Sequence, residues 1–220
     1  MLWNQDGEQL YMAVREPDGY QGKVKTTIWG TWPTFESWTW PGHEGKPIEV
    51  DVYSRYPKVR LYLDDKLIGE KTVAECKAVF TLPYQAGKLR AEGLDGGQAK
   101  ATTALQTAAE PMTIRLTADH SVLKSDGQDL AFITLELVDA NGTVCPTAAH
   151  RLTAAVKGAA VLAAFGNADI KDCDPYTDNA HKAWKGRALL VVRSGQKKGK
   201  VTVSVGGEGL PTAQLTLNVR

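Results

Sequence analysis

From residue 47 onward the chain alternates apolar and polar side chains with a period of two. Ile48, Val50 and Val52 interleave with Glu49 and Asp51, and Val59, Leu61 and Leu63 interleave with Arg60 and Tyr62. Successive side chains of a strand point to opposite faces, so this pattern predicts strands with one buried and one solvated face. Further runs lie at 76–82, 88–94 and 99–106. Turn-forming tracts separate them: Asp64-Asp65, residues 83–87 and Asp95-Gly96-Gly97. Short strands with no helical period between them predict a small antiparallel sandwich.

Ala108-Ala109-Glu110-Pro111 reads as a seam between domains, because proline restricts both itself and the residue before it. Alternation then restarts at Ile114, Leu116 and Ala118, and continues at Ile133, Leu135 and Leu137 up to the turn Asp139-Ala140-Asn141-Gly142. Leu152, Ala154 and Val156 follow, then the runs 160–165, 188–192 and 201–205, and lastly Leu215, Leu217 and Val219. Such a set of strands in about 110 residues has the size of an immunoglobulin-like sandwich. The expected fold class is all-β: two antiparallel immunoglobulin-like β-sandwiches in tandem, preceded by an aromatic-rich extended segment. The expected domains are residues 1–41, 42–109 and 110–220. A long polar stretch, 166–186, breaks the rhythm of the second sandwich, and loops of that length are often functional.

Composition narrows the function classes. The chain has 220 residues, 43% hydrophobic and 23% charged, which allows one large or two modest globular domains. A formal net charge of +1 leaves no excess field for phosphate backbones or anionic lipid, so nucleic acid is not an expected partner. No run approaches eighteen apolar residues, so no membrane span is expected. The start, Met-Leu-Trp-Asn-Gln-Asp, lacks the basic flank and apolar stretch of a signal peptide. Cys76, Cys145 and Cys173 are too few and scattered for a disulfide framework or a zinc site. Pairing of Cys145 with Cys173 and free thiols are both consistent with the spacing. The tryptophans are uneven: Trp3, Trp29, Trp32, Trp38 and Trp40 precede residue 41, and only Trp184 lies beyond.

That aromatic head holds the candidate chemistry. An indole offers an apolar face and one N–H donor, which suits stacking on a sugar ring, although aromatics more often serve packing. Glu36 sits within the cluster and invites a general-acid reading. Glycoside hydrolysis needs a second carboxyl at a set separation, and none in this segment is an obvious partner. Asp169, Asp172, Asp174 and Asp178 depart from calcium-loop spacing and read as a surface loop. His43, His120, His150 and His181 are dispersed and show no metal-pair spacing. No nucleophile elbow or phosphate cradle is present. No catalytic residue, metal site or cofactor is expected in this chain.

The tract Trp38-Thr39-Trp40-Pro41-Gly42-His43-Glu44-Gly45-Lys46-Pro47-Ile48-Glu49-Val50 is distinctive, as is Val59-Arg60-Leu61-Tyr62-Leu63-Asp64-Asp65-Lys66-Leu67-Ile68-Gly69. Both resemble the C-terminal region of bacterial family 2 glycoside hydrolases of the β-galactosidase type, where a tryptophan-x-tryptophan segment leaves the catalytic barrel and a sandwich follows. Asp64-Asp65 stands where that family often has asparagine and glycine, and Ser37 stands where many relatives have histidine. The second half is similar to the terminal invasin-like module of such proteins, through Ile114–Asp119, Asp126–Leu130, Val138–Gly142 and Phe165-Gly166-Asn167.

The resemblance implies a C-terminal fragment, inactive alone, whose catalytic glutamates lie on a barrel upstream. It implies non-catalytic accessory domains acting in carbohydrate breakdown, with the parent chain's barrel as partner. Trp38 and Trp40 are then the candidate substrate-binding residues, stacking on a glycan ligand or closing a subsite wall. It further implies a periplasmic or extracellular location. The alternative is a free-standing carbohydrate-binding or adhesive module, and a small enzyme centred on Glu36 ranks last.

Overall fold

The computed structural model describes residues 9–20, 22, 28, 30 and 32–220; Trp3 and Trp29 lie outside them. The chain divides into two compact units, Met1–Thr107 and Ala108–Arg220. The described residues are strands, turns and loops, with no helix among them. None is therefore long and apolar enough to cross a membrane.

The first unit holds β1 (Leu10–Arg15), β2 (Thr34–Phe35), β3 (Pro47–Ser54), β4 (Lys58–Leu63), β5 (Lys66–Thr72), β6 (Lys77–Pro83), β7 (Lys88–Asp95) and β8 (Gln98–Gln106). They form two four-stranded sheets, ordered β2-β1-β3-β6 and β5-β4-β7-β8. Alternating residues of both sheets face inward: Val50 and Val52 from β3, Val59 and Leu61 from β4, Phe80 from β6, Leu89 and Ala91 from β7. Each of these valine, leucine and phenylalanine side chains contributes about 1.5–3 kcal/mol on burial. β1 is a strand that the alternation does not announce. Leu10, Met12, Ala13 and Val14 are all buried, so its run shows no period of two. β5 escapes for the opposite reason, being exposed almost throughout, with Lys66, Glu70 and Lys71 along the sheet edge.

The second unit holds β9 (Thr113–Ala118), β10 (Val122–Leu123), β11 (Leu130–Val138), β12 (Arg151–Gly158), β13 (Ala160–Gly166), β14 (Ala180–Lys182), β15 (Arg187–Ser194), β16 (Gly199–Gly207) and β17 (Leu210–Val219). Its sheets run β10-β17-β16-β12-β14 and β13-β15-β11-β9. Pairing is antiparallel except between β10 and β17, which is parallel. The core is again built by alternation, with Ile133, Leu135 and Leu137 of β11 meeting Leu190 and Val192 of β15 and Val201, Val203 and Val205 of β16. Between β12 and β13 the chain passes from one sheet to the other at Gly158. Its φ is +108°, and the Lys200 carbonyl oxygen lies 2.1 Å from where a Cβ would stand, which leaves room for no side chain.

The cysteines are all free. Cys145 is buried and Cys173 exposed, which removes the pairing that their spacing had left open. Burial, with Asp139 and Glu110 nearby, pushes the Cys145 thiol up to about 11, so it stays protonated and donates to the Ala109 carbonyl at 3.2 Å.

Candidate functional site

The aromatic head turns most of its rings inward. Trp38 is 0% and Trp40 4% exposed, both within the core of the first unit. The Trp38 indole N–H donates to the Gln85 carbonyl at 2.9 Å, and its ring meets Tyr84 edge-on at 5.0 Å. The Trp38 carbonyl accepts the Thr107 hydroxyl at 2.7 Å, so the first unit's last residue is tied to the strip. Trp40 packs edge-on against Tyr20 at 5.2 Å, with Phe35 at 6.1 Å. Its amide donates to the Tyr84 hydroxyl at 3.0 Å. The local cause is the sequence itself: Pro41-Gly42 ends the strip in a turn, with the His43 amide bonded to the Trp40 carbonyl at 3.1 Å. In this packing neither indole offers an open face to a ligand.

Trp32 behaves differently. It is half-buried, and its indole N–H donates to the Glu16 carbonyl at 2.8 Å, while the Glu16 amide donates to the Pro33 carbonyl at 2.9 Å. These bonds seat Trp32 beside β1, at a cleft of about 350 Å³ lined also by Arg15, Glu16, Asp18, Ile48 and Glu49. Arg15 is held by ion pairs to Glu49 and Asp51, the latter at 3.1 Å, and Asp51 also pairs with Lys77 at 2.6 Å. An aromatic face beside fixed hydrogen-bonding groups matches what a polyol ligand requires. Trp32 belongs to the tryptophan cluster of the sequence; Arg15 and Glu16 carry no such signal, because only the pairing of β1 with β3 brings them there.

The other candidates scatter. Glu36 is exposed, outside the apolar surroundings that the general-acid reading requires. The ring of His43 bonds the Pro47 carbonyl at 3.0 Å, and His120 pairs with Asp119 at 3.0 Å. Asp169 caps a turn by accepting the Lys171 amide at 3.0 Å, and Asp178 lies exposed in its loop. Asp172 and Asp174 do come together, with His181 beside them.

The fold and its buried strip define a tandem β-sandwich chain, and known proteins give that class its family. Residues 114–216 match glycoside hydrolase family 2 C-terminal domain 5, and residues 45–101 match a domain of unknown function, DUF4982. The chain is 30% identical over 190 residues to the β-galactosidase BoGH2A of Bacteroides ovatus, covering 84% of this chain and 22% of that protein. It is also 30% identical over 184 residues to a β-glucuronidase of Formosa agariphila, covering 81% and 18%. A solved glycosyl hydrolase family 2 member from Bacteroides cellulosilyticus superposes with a TM-score of 0.90 at 31% identity, over 100% of this chain and 29% of that one. The chain belongs to the C-terminal region of family 2 glycoside hydrolases. It spans less than a third of the length of each of these three relatives.

Proposed function

We propose that these sandwiches are non-catalytic accessory domains of a β-galactosidase-like hydrolase, buttressing its catalytic barrel and the walls of its substrate subsites. One observation carries the reading: two domain matches in order, 45–101 then 114–216, on a fold that superposes along its whole length on a minor part of a larger family 2 protein. Both sandwiches are read as immunoglobulin-like, with domains at 42–109 and 110–220. Leu10–Arg15 is then the strand by which the leading segment, 1–41, joins the first of them.

Within this reading Trp38 and Trp40 close a subsite wall from behind. Their buried rings fix the strip that carries Trp32, and a glycan would meet the half-buried Trp32 face in a subsite completed by the barrel. The likeness to Bacteroides glycosidases supports action in the periplasm or outside the cell.

The test uses the chain itself with nitrophenyl β-galactoside and β-glucuronide. No turnover is expected, and turnover that disappears in Glu36→Gln would overturn the proposal. Titration with galactosides, followed by tryptophan fluorescence, is expected to give no change up to about millimolar ligand. A saturable change lost in Trp32→Ala would establish the free-standing carbohydrate-binding module instead.

A further inference from the structure

The loop between β13 and β14 brings two of its aspartates against a histidine of β14. Asp172, Asp174 and His181 each offer a ligand atom, and all three atoms lie within 4.8 Å of one another. His181 is 0% exposed, its ring set edge-on to Phe165 at 5.2 Å and stacked with Tyr176 at 6.3 Å. Its Nε2 lies 3.0 Å from the Pro175 carbonyl. A carbonyl only accepts, so Nε2 carries the proton, and Nδ1 is the ring nitrogen left to present a lone pair to a cation. That buried Nδ1 has no hydrogen-bond partner and faces Asp172 Oδ2 at 3.6 Å.

At 3.6 Å the Nδ1–Oδ2 contact is longer than a hydrogen bond, which would be 2.7–3.2 Å. The separation instead suits the edge of a metal polyhedron: ligands about 2.1 Å from a tetrahedral ion stand about 3.4 Å apart. The surroundings have the character of a metal site as well. A ligating imidazole usually donates its other N–H to a carbonyl or carboxylate, as His181 does to Pro175. Asp172 is held on both oxygens, accepting the Asp174 amide at 2.9 Å and the Asn167 carboxamide at 2.6 Å. Those bonds, the Asp174 amide foremost, keep its carboxyl below the ordinary carboxylate range and ionised at neutral pH. Asp174 pairs with Arg151 at 3.2 Å, but both side chains are substantially exposed and the pair is worth little.

We propose that His181 Nδ1, Asp172 and Asp174 bind a divalent cation of borderline hardness, such as zinc, with water completing the shell. One imidazole and two carboxylates suit zinc; calcium, which takes six to eight oxygens, fits poorly. The metal pins the polar loop to the end of the second sandwich.

The experiment is calorimetric titration of the chelator-treated chain with zinc chloride, alongside NMR of the imidazole nitrogens. One zinc per chain is expected, with the His181 Nδ1 resonance moving on binding. Asp172→Asn and Asp174→Asn should each weaken binding by about tenfold or more. Asp174 is at the rim, so its variant keeps the metal-free melting temperature and separates ligand loss from unfolding, which His181→Gln alone would not. Cys173→Ser should bind as the wild type does. The proposal is overturned by no binding at millimolar zinc, by wild-type affinity in both aspartate variants, by loss only in Cys173→Ser, by calcium competing equally, or by a His181 that is doubly protonated and unmoved by zinc.

Discussion

At the scale of single residues, three aspartates carry contrasting lessons. Asp64 and Asp65 form a two-residue hairpin turn with φ of +46° and +63°, the conformation that favours Asn-Gly. Asp64 earns its place by accepting the Lys88 amide at 2.8 Å, whereas the Asp65 side chain is 91% exposed. Asp65→Gly is therefore expected to stabilise the first unit by about 0.5 kcal/mol in urea denaturation, through relief of the left-handed backbone. Asp139 is the reverse case. It is 2% exposed and accepts the amides of Ala109, Asn141 and Thr143 at 2.9–3.0 Å. Burial pushes its carboxyl up, and those amide bonds outweigh burial and hold it below the ordinary range. A carboxyl depressed by folding stabilises the fold above its unfolded value, near pH 4, and that contribution fades as pH falls through the folded value. Asp139→Ala should cost about 3 kcal/mol at pH 7, since it leaves three amides without their acceptor. Its stability should also fall less steeply than the wild type's as pH drops below about 5. Denaturant midpoints measured across pH check both outcomes.

At the scale of elements, the buried strip is what the first unit is built on. Trp38→Ala should cost about 4 kcal/mol, as loss of a buried indole usually does. Trp38→Phe should cost about 1–2 kcal/mol, because it keeps most of the packing but leaves the Gln85 carbonyl without its donor. Urea midpoints of the two variants give the comparison. The strands with one wet face, such as β3, β4, β11 and β16, are legible because alternation reports a single dry side. β1 sets Tyr11 and the buried Ala13 between its buried Leu10, Met12 and Val14, and β5 is wet on both faces, so neither shows apolar–polar alternation; β2, β10 and β14 have only two or three residues. The site divides along similar lines. The Trp-x-Trp tract stands out in the sequence, but that its rings face inward depends on Tyr84, more than forty positions away. His181 stands on β14 and Asp172 in the loop before it, and the fold of that loop around the buried imidazole, with the Pro175 carbonyl on Nε2, is not encoded in spacing.

At the scale of the whole molecule, each unit buries a core of its own: one drawn from residues between Leu10 and Leu105, the other from residues between Ile114 and Val219. Residues 108–220 produced alone are therefore expected to fold, with one cooperative thermal transition and dispersed amide resonances. Aggregation or a molten spectrum would show that the second core is incomplete without the first unit.

The edge strand β5 has a bearing on how the protein behaves at high concentration. With a net charge of +1, two copies approaching at neutral pH meet almost no overall repulsion. Colloidal stability then rests on where charges sit, and Lys66, Glu70 and Lys71 put them along an open edge that another chain would otherwise extend.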